Sequence, residues 1–150
     1  MTIEELIDKI DKKEINIEDY EGYVYLIELL DDGRKYVGKK NFFFTNNVKL
    51  GKKEKANLPI TRGRKQTKKK VIKESDWKNY YGSSKEMISI LEYYPKDRIK
   101  RTILKLCKTS KSLTYYECKY MFEFDVLNPN SNFINENILG KFYSKDLLED

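Results

Sequence analysis

The sequence predicts an α+β fold, with a small three-stranded antiparallel sheet flanked by helices and preceded by an N-terminal accessory helix. Strand-like runs rich in Tyr, Val, Ile and Leu occupy residues 22–30, 34–37 and 99–107. Asp31-Asp32-Gly33 is a strong turn signal, so the first two runs form a hairpin. Helical patterns surround these strands, and the resulting order of elements is that of helices covering one sheet.

The predicted helices lie at residues 2–20, 75–81, 83–94 and 112–126. Thr2 is the expected cap of the first helix, and Ser83 is the expected cap of the third, with Glu86 at the matching box position. Residues 39–73 show no comparable periodicity and carry several Gly and Pro signals. They are predicted to form a long, partly ordered loop, and loops of this length are usually functional or disordered.

Composition narrows the possible chemistry. A chain of 150 residues with 39% hydrophobic residues is the size of one domain with a real core. Two cysteines without a secretory context indicate no disulfide framework, and no apolar run is long enough to span a membrane. We therefore expect a soluble, cytoplasmic protein without a membrane partner. Because histidine is absent, catalysis would have to use Tyr, Lys, a carboxylate or a bound metal.

Positive charge is concentrated in one segment. Residues 49–73 hold eleven Lys or Arg and a single acid, Glu54, so the segment carries +10 and the rest of the chain −4. A solvated charge run is one interpretation. The other is a polyphosphate partner, and nucleic acid is the leading candidate.

Candidate nucleic-acid contacts follow from this charge and from nearby aromatic residues. Trp77 and Tyr80 either stack on bases or pack as an aromatic helix against the sheet. The basic candidates are Lys40, Lys65, Lys68, Lys69, Lys70 and Lys73.

Glu117 is the most unusual single residue of the sequence. On the last predicted helix it falls between Met121 and Phe124, on the apolar face that also holds Leu113 and Tyr120. A carboxylate there is costly unless it is paired, hydrogen-bonded or bound to a metal. The alternatives are a position at the rim, a buried Glu–Arg pair, or a metal ligand.

The predicted hairpin carries a second group of residues. Tyr25 and Tyr36 are eleven positions apart across the tight turn, so their hydroxyls can lie close together. Gly38 permits a close backbone approach, and Lys39 adds a cation beside them. Tyrosines in strands are ordinarily packing residues, and that alternative remains.

These motifs resemble those of a known family. "GYVYLI", "YVGKK", "ESDWKNYYGSS", "TYYECKYMFEFDVL" and "FINENI" together resemble the GIY-YIG endonuclease superfamily, most closely its Seg-like phage homing endonucleases, over roughly residues 20–140. The resemblance implies a GIY-YIG-like fold and metal-dependent hydrolysis of phosphodiester bonds in double-stranded DNA. It also implies a Mg²⁺ or Mn²⁺ cofactor, phage origin and a possible homing role.

The resemblance assigns roles residue by residue. Tyr25 matches the tyrosine that helps to activate or position the attacking water, and Tyr36 the one that contacts the scissile phosphate or the nucleophile. Lys39 matches a lysine near the leaving group or general base. Glu117 matches the single acidic metal ligand, and Asn135 the late asparagine that supports the site.

One family position is harder to match. The family places a catalytic arginine on a helix soon after the second motif, where this chain has its basic insertion. Arg64 is the preferred match, with Arg62 close behind. Lys68 stands where the family has a histidine or tyrosine, and Tyr80 is the substitute we suggest for that role.

The expected organisation is an accessory helix at 1–20, a nuclease domain at 21–143 with a basic insertion at 41–73, and a C-terminal tail at 144–150. Two other functions stay open. A catalytically inactive nucleic-acid-binding module on the same scaffold would tolerate loss of Glu117. An accessory protein would instead use its N-terminal helix to dock a partner. The oligomeric state is left open.

Overall fold

The computed structural model describes residues 1–59 and 63–147. These form two compact units. We call residues 1–42 with 76–147 the sheet domain, and residues 43–75, as far as they are described, the basic hairpin unit. Each unit is described by itself.

The elements are, in chain order, α1 (Ile3–Asp11), β1 (Gly22–Leu29), β2 (Lys35–Asn41), β3 (Phe43–Lys49), α2 (Lys52–Ala56), β4 (Lys68–Glu74), α3 (Lys85–Leu91), β5 (Ile99–Cys107), α4 (Ser110–Glu123), β6 (Asn137–Ile138) and β7 (Phe142–Tyr143). Single 3₁₀ turns lie at Ile17–Asp19, Trp77–Asn79, Lys96–Arg98 and Ser144–Asp146. None of the described helices has the length and apolar character that crossing a bilayer requires.

The predicted three-stranded antiparallel sheet is confirmed. Its strand order is β2-β1-β5, with β1 in the centre. The hairpin turn closes through a hydrogen bond from the Gly33 amide to the Leu29 carbonyl, at 2.8 Å. Gly33 adopts a φ of +77°, a conformation that glycine tolerates best. The second strand is longer than predicted, because its pairing with β1 continues to Asn41.

Each face of the sheet buries a separate set of apolar residues. On one face, Val24 and Val37 pack in a cluster with Leu113 and Met121 of α4. The opposite face carries Tyr23, which directs its ring edge toward the indole of fully buried Trp77. With both faces covered, β1 is buried along nearly its whole length, which fixes the side chains of the hairpin.

The helix boundaries correct several sequence predictions. α3 is capped by Ser84, not Ser83: its side chain accepts a hydrogen bond from the Met87 amide. The predicted helix at 75–81 is reduced to one 3₁₀ turn, and α4 begins two residues early because Thr109 caps it. Thr2 caps α1 as predicted, by accepting a hydrogen bond from the Glu5 amide.

The prediction of a loop over residues 39–73 was wrong. Its first residues extend β2, and β3 and β4 pair antiparallel over seven residue pairs, with α2 between them. A strand containing three consecutive lysines has little intrinsic β propensity, so the pairing with β3 decides its conformation. Among the described residues of this unit, Leu50 is the buried one, and most others are exposed.

Candidate active site on the central hairpin

Tyr25 and Tyr36 lie on the same face of the sheet. Tyr25 stands directly opposite Gly38, and a side chain at Gly38 would overlap the Tyr25 ring and hydroxyl. The close approach predicted for this glycine is therefore present. The ring centroids of the two tyrosines are 6.3 Å apart, so the two phenols are neighbours, as the spacing across the turn predicted.

Tyr80 completes an aromatic cluster with these two residues. Its ring meets Tyr25 edge-on with the centroids 5.9 Å apart, and the two phenols are hydrogen-bonded. Lys40 places its Nζ 4.0 Å from the centroid of the Tyr80 ring and pairs with Asp76 at 2.7 Å. Tyr80 and Lys40 thus support Tyr25. For fully buried Trp77 the base-stacking alternative was wrong and the packing alternative correct.

Both hairpin phenols stay protonated at neutral pH. Burial raises the pKa of Tyr25 well above its ordinary range, and the neighbouring Tyr80 and Tyr36 add to the shift. Burial also raises the pKa of Tyr36, although a hydrogen bond with Ser84 opposes the shift. A protonated phenol donates a hydrogen bond, so this arrangement suits positioning of a phosphate oxygen or water better than proton abstraction.

Glu117 of α4 faces the outer edge of β2. It is half-buried and accepts a hydrogen bond from the Lys39 backbone N–H. Burial raises the pKa of its carboxyl, while the Lys39 charge and this hydrogen bond act in the opposite direction. Lys39 itself donates from Nζ to Thr114 Oγ1 at 2.8 Å. Among the described residues no ion pair engages Glu117. Because Arg62 lies outside the described residues, the alternative of a Glu–Arg pair stays a prediction.

Asn135 holds the outer edge of β2 in place. Its Oδ1 accepts from the Val37 amide at 3.0 Å, and its Nδ2 donates to the Val37 carbonyl at 2.8 Å. Next to it, the Ile134 amide donates to the Lys35 carbonyl at 2.7 Å. Asn135 is only 9% exposed, so its amide replaces a missing neighbouring strand. It positions the strand that carries Tyr36.

A pocket of about 600 Å³ opens at this edge. It brings together four of the predicted site residues: Tyr36, Lys39, Glu117 and Asn135. Further lining residues are Ser83, Ser84, Lys85, Glu86, Met121, Ile134, Glu136, Asn137, Leu139 and Gly140.

Sequence reasoning missed two lining residues that affect the chemistry. Ser84 caps α3 and also hydrogen-bonds the Tyr36 phenol. Glu86 interacts with the Glu136 carboxyl, and a hydrogen bond between them raises the pKa of Glu136. The predicted cap was the neighbouring Ser83, and no local pattern indicates either tertiary contact.

The comparison with protein families identifies the scaffold. Residues 6–138 match the family described as "Putative endonuclease segE, GIY-YIG domain". The chain belongs to this family. The suspected resemblance to Seg-like GIY-YIG endonucleases is thereby confirmed, and membership indicates a nuclease acting on nucleic acid. No curated protein and no solved structure matched the chain.

Among the described residues, no arginine lines the pocket that holds Tyr36 and Glu117. Arg64 belongs to the basic hairpin unit and is exposed, and Arg62 lies outside the described residues. Within the sheet domain, Arg101 is buried and donates hydrogen bonds to the Lys78 and Tyr80 carbonyls. Its role is therefore structural. The role of Arg64 or Arg62 stays a prediction.

The donor set of the GIY-YIG pocket fits one hard cation. No cluster of three or more His, Cys, Asp or Glu side chains with metal-binding geometry occurs in the described part of the chain. Mg²⁺ does not need one, because it keeps several waters and is commonly held by one or two carboxylates together with substrate phosphates. Glu117 lines the pocket, has no ion-pair partner among the described residues, and is a carboxylate of this kind.

Proposed function

We propose that this chain is a divalent-metal-dependent endonuclease that hydrolyses phosphodiester bonds in double-stranded DNA. The observation that carries the proposal is a half-buried carboxylate, Glu117, for which the described residues provide no ion-pair partner, in the same pocket as Tyr36 and Lys39. Burying a carboxylate is costly, and the Lys39 charge and backbone N–H offset this cost only in part, so its retention in the lining of a pocket favours a ligand role.

Glu117 would hold Mg²⁺ or Mn²⁺. The bound ion would neutralise charge on the phosphate that is cut. This role also agrees with the raised pKa of Glu117, because burial disfavours the bare carboxylate more than the Lys39 charge and backbone N–H favour it, and a bound cation would add positive charge.

The remaining residues bind and orient the substrate. Tyr36 presents a protonated phenol to the pocket and can donate a hydrogen bond to a phosphate oxygen or to the attacking water. Lys39 supplies a positive charge whose position Thr114 fixes, and this charge suits an anionic leaving oxygen. Tyr25 does not line the pocket. We assign it to positioning Tyr36 and the attacking water, together with Tyr80.

The basic hairpin unit would contribute binding energy. All of Lys65, Lys68, Lys70 and Lys73 are exposed there, and Lys69 is partly exposed. Exposed lysines of this kind neutralise phosphates and release counterions on binding. Phage origin and a homing role complete the proposal, and they rest on the likeness to the Seg-type family.

Supercoiled plasmid provides the decisive test. Purified full-length protein with Mg²⁺ should nick it, and Glu117→Gln should slow nicking at least about 100-fold while the protein stays folded. Glu123→Gln is the matched control, since Glu123 lies on the same helix but is exposed beside Lys119. Its nicking rate should equal that of the wild type.

Two results would overturn the proposal. Plasmid that stays intact with every divalent metal tried would favour the catalytically inactive nucleic-acid-binding module. The DNA affinity of the wild type and of Glu117→Gln would then be explained by charge alone. Equal nicking by wild type and Glu117→Gln would show that the Glu117 carboxylate takes no part in the reaction.

A further inference from the structure

The two strands of the basic hairpin unit present two different faces. In an antiparallel pair, residues directly opposite each other share a face, and successive residues alternate between faces. The pairing of β3 with β4 therefore defines an outer face, consisting of Phe43, Thr45, Asn47, Lys49, Lys68, Lys70, Ile72 and Glu74. It also defines an inner face, consisting of Phe44, Asn46, Val48, Lys69, Val71 and Lys73.

The two faces differ in what contacts them. On the inner face, Lys69 pairs with Glu54 of the same unit at 2.8 Å, and Val71 is partly buried. On the outer face every residue except the partly buried Phe43 is exposed, and Ile72 is 71% exposed. An exposed isoleucine alone says little. Its position matters, because it stands beside the Asn47–Lys70 pair in the middle of a lysine-rich face.

The outer face has the chemistry that reads base edges. An asparagine carboxamide can bond adenine at two points, lysine bonds guanine acceptors, and aliphatic groups contact the thymine methyl. Asn47 lies opposite Lys70, and Thr45 opposite Ile72, so these groups form two successive rows. Rows on one face are about 6.8 Å apart. That distance is roughly two base-pair steps of about 3.4 Å.

We infer that the outer face enters the major groove of B-form DNA and reads its sequence. The major groove is about 12 Å wide and admits a two-stranded β-ribbon. Residues 43–75 contain eleven basic and two acidic residues, which complements the phosphates on both sides of the groove. The inference rests on the proposed function for its duplex DNA substrate. It adds that the basic hairpin unit is the element that selects which DNA sequence is bound.

Adjacent asparagines on opposite faces supply the matched pair for a test. The experiment uses the full-length Glu117→Gln protein, so that DNA binding is measured separately from cleavage. This protein is incubated with a library of random DNA duplexes, and the bound duplexes are sequenced. The Glu117→Gln protein should show preferred bases. Adding Asn47→Ala should weaken discrimination at one base pair by about 5- to 150-fold, while adding Asn46→Ala should leave the preferences unchanged.

A double-stranded RNA of the same sequence provides a second comparison. The A-form major groove is too deep and narrow for side chains to read, so RNA should bind without base preference and more weakly. Uniform binding across the DNA library, no binding at all, identical effects of the two asparagine variants, or equal affinity for RNA would each overturn the inference.

The outcome is distinguishable from that of the proposed function. Plasmid nicking without any base preference would refute the reading face but leave the endonuclease intact. Preferences that depend on Asn47, in a protein that never nicks DNA, would refute the endonuclease but leave the reading face intact.

Discussion

The sheet domain and the basic hairpin unit use polar residues in opposite ways. In the sheet domain, Asn135 and Glu117 are withdrawn from water, and each is held against the backbone of β2. In the described part of the hairpin unit, most lysines and asparagines are exposed, and Leu50 is the buried residue. The first arrangement fixes geometry by burial, and the second provides charge and contact surface. We therefore expect the chemistry in the first region and the binding surface in the second.

The largest expected contrast is in stability, for the same substitution made in both regions. Asn135→Leu removes both partners of the buried Val37 amide and carbonyl. Leaving these groups unsatisfied should lower the free energy of unfolding by about 2–4 kcal/mol, measured by urea denaturation. Asn47→Leu, on the exposed ribbon, should change it by less than about 0.5 kcal/mol.

This pair of variants tests whether the two regions really differ in how tightly they constrain their asparagines. Equal losses of stability would show that the hairpin unit is as tightly constrained as the sheet domain. An unchanged Asn135→Leu protein would show that the outer edge of β2 does not need its amide partner, and the positioning role of Asn135 would fall with it.

The second contrast is in the salt dependence of DNA affinity. Replacing Lys68, Lys70 and Lys73 with glutamine removes three exposed charges from β4. If all three contact phosphates, the slope of log affinity against log salt should fall by about 3. The folded sheet domain should keep its melting temperature.

A charge-matched control keeps this test specific. Lys12, Lys111 and Lys141 are exposed lysines of the sheet domain, and glutamine at these positions removes the same total charge. The slope should hardly change. If both triple variants lost the same slope, net charge rather than the hairpin unit would govern binding.

The same contrast explains what the sequence could predict. The central hairpin and Glu117 were visible because a turn signal and a helical period are local patterns. The β3–β4 pairing was not, because eighteen residues separate the two strands and the second strand has a polar, lysine-rich sequence. The contact between Ser84 and Tyr36 was missed for a related reason: a cap signal describes one helix end and nothing across the fold.

The smallest expected effect concerns Glu117, the half-buried carboxylate of the pocket. Burial raises the pKa of Glu117 above its value in the unfolded chain, so between the two values the folded state binds more protons. Stability in EDTA should therefore fall as the pH rises through that interval. Glutamine does not titrate, so Glu117→Gln should melt at a higher temperature than wild type at pH 7, and the difference should shrink toward pH 4.

Glu123→Gln is again the control, since Glu123 lies exposed on the same helix and its substitution removes an exposed ion pair with Lys119. It should gain nothing at either pH. A stabilised Glu117→Gln protein that no longer nicks DNA would mean that the carboxylate is kept at the expense of stability, as residues retained for function often are. If Glu117→Gln instead melted lower at pH 7, the main role of the carboxylate would be structural. It would stabilise β2 through its hydrogen bond with the Lys39 amide and would not serve as a cation ligand.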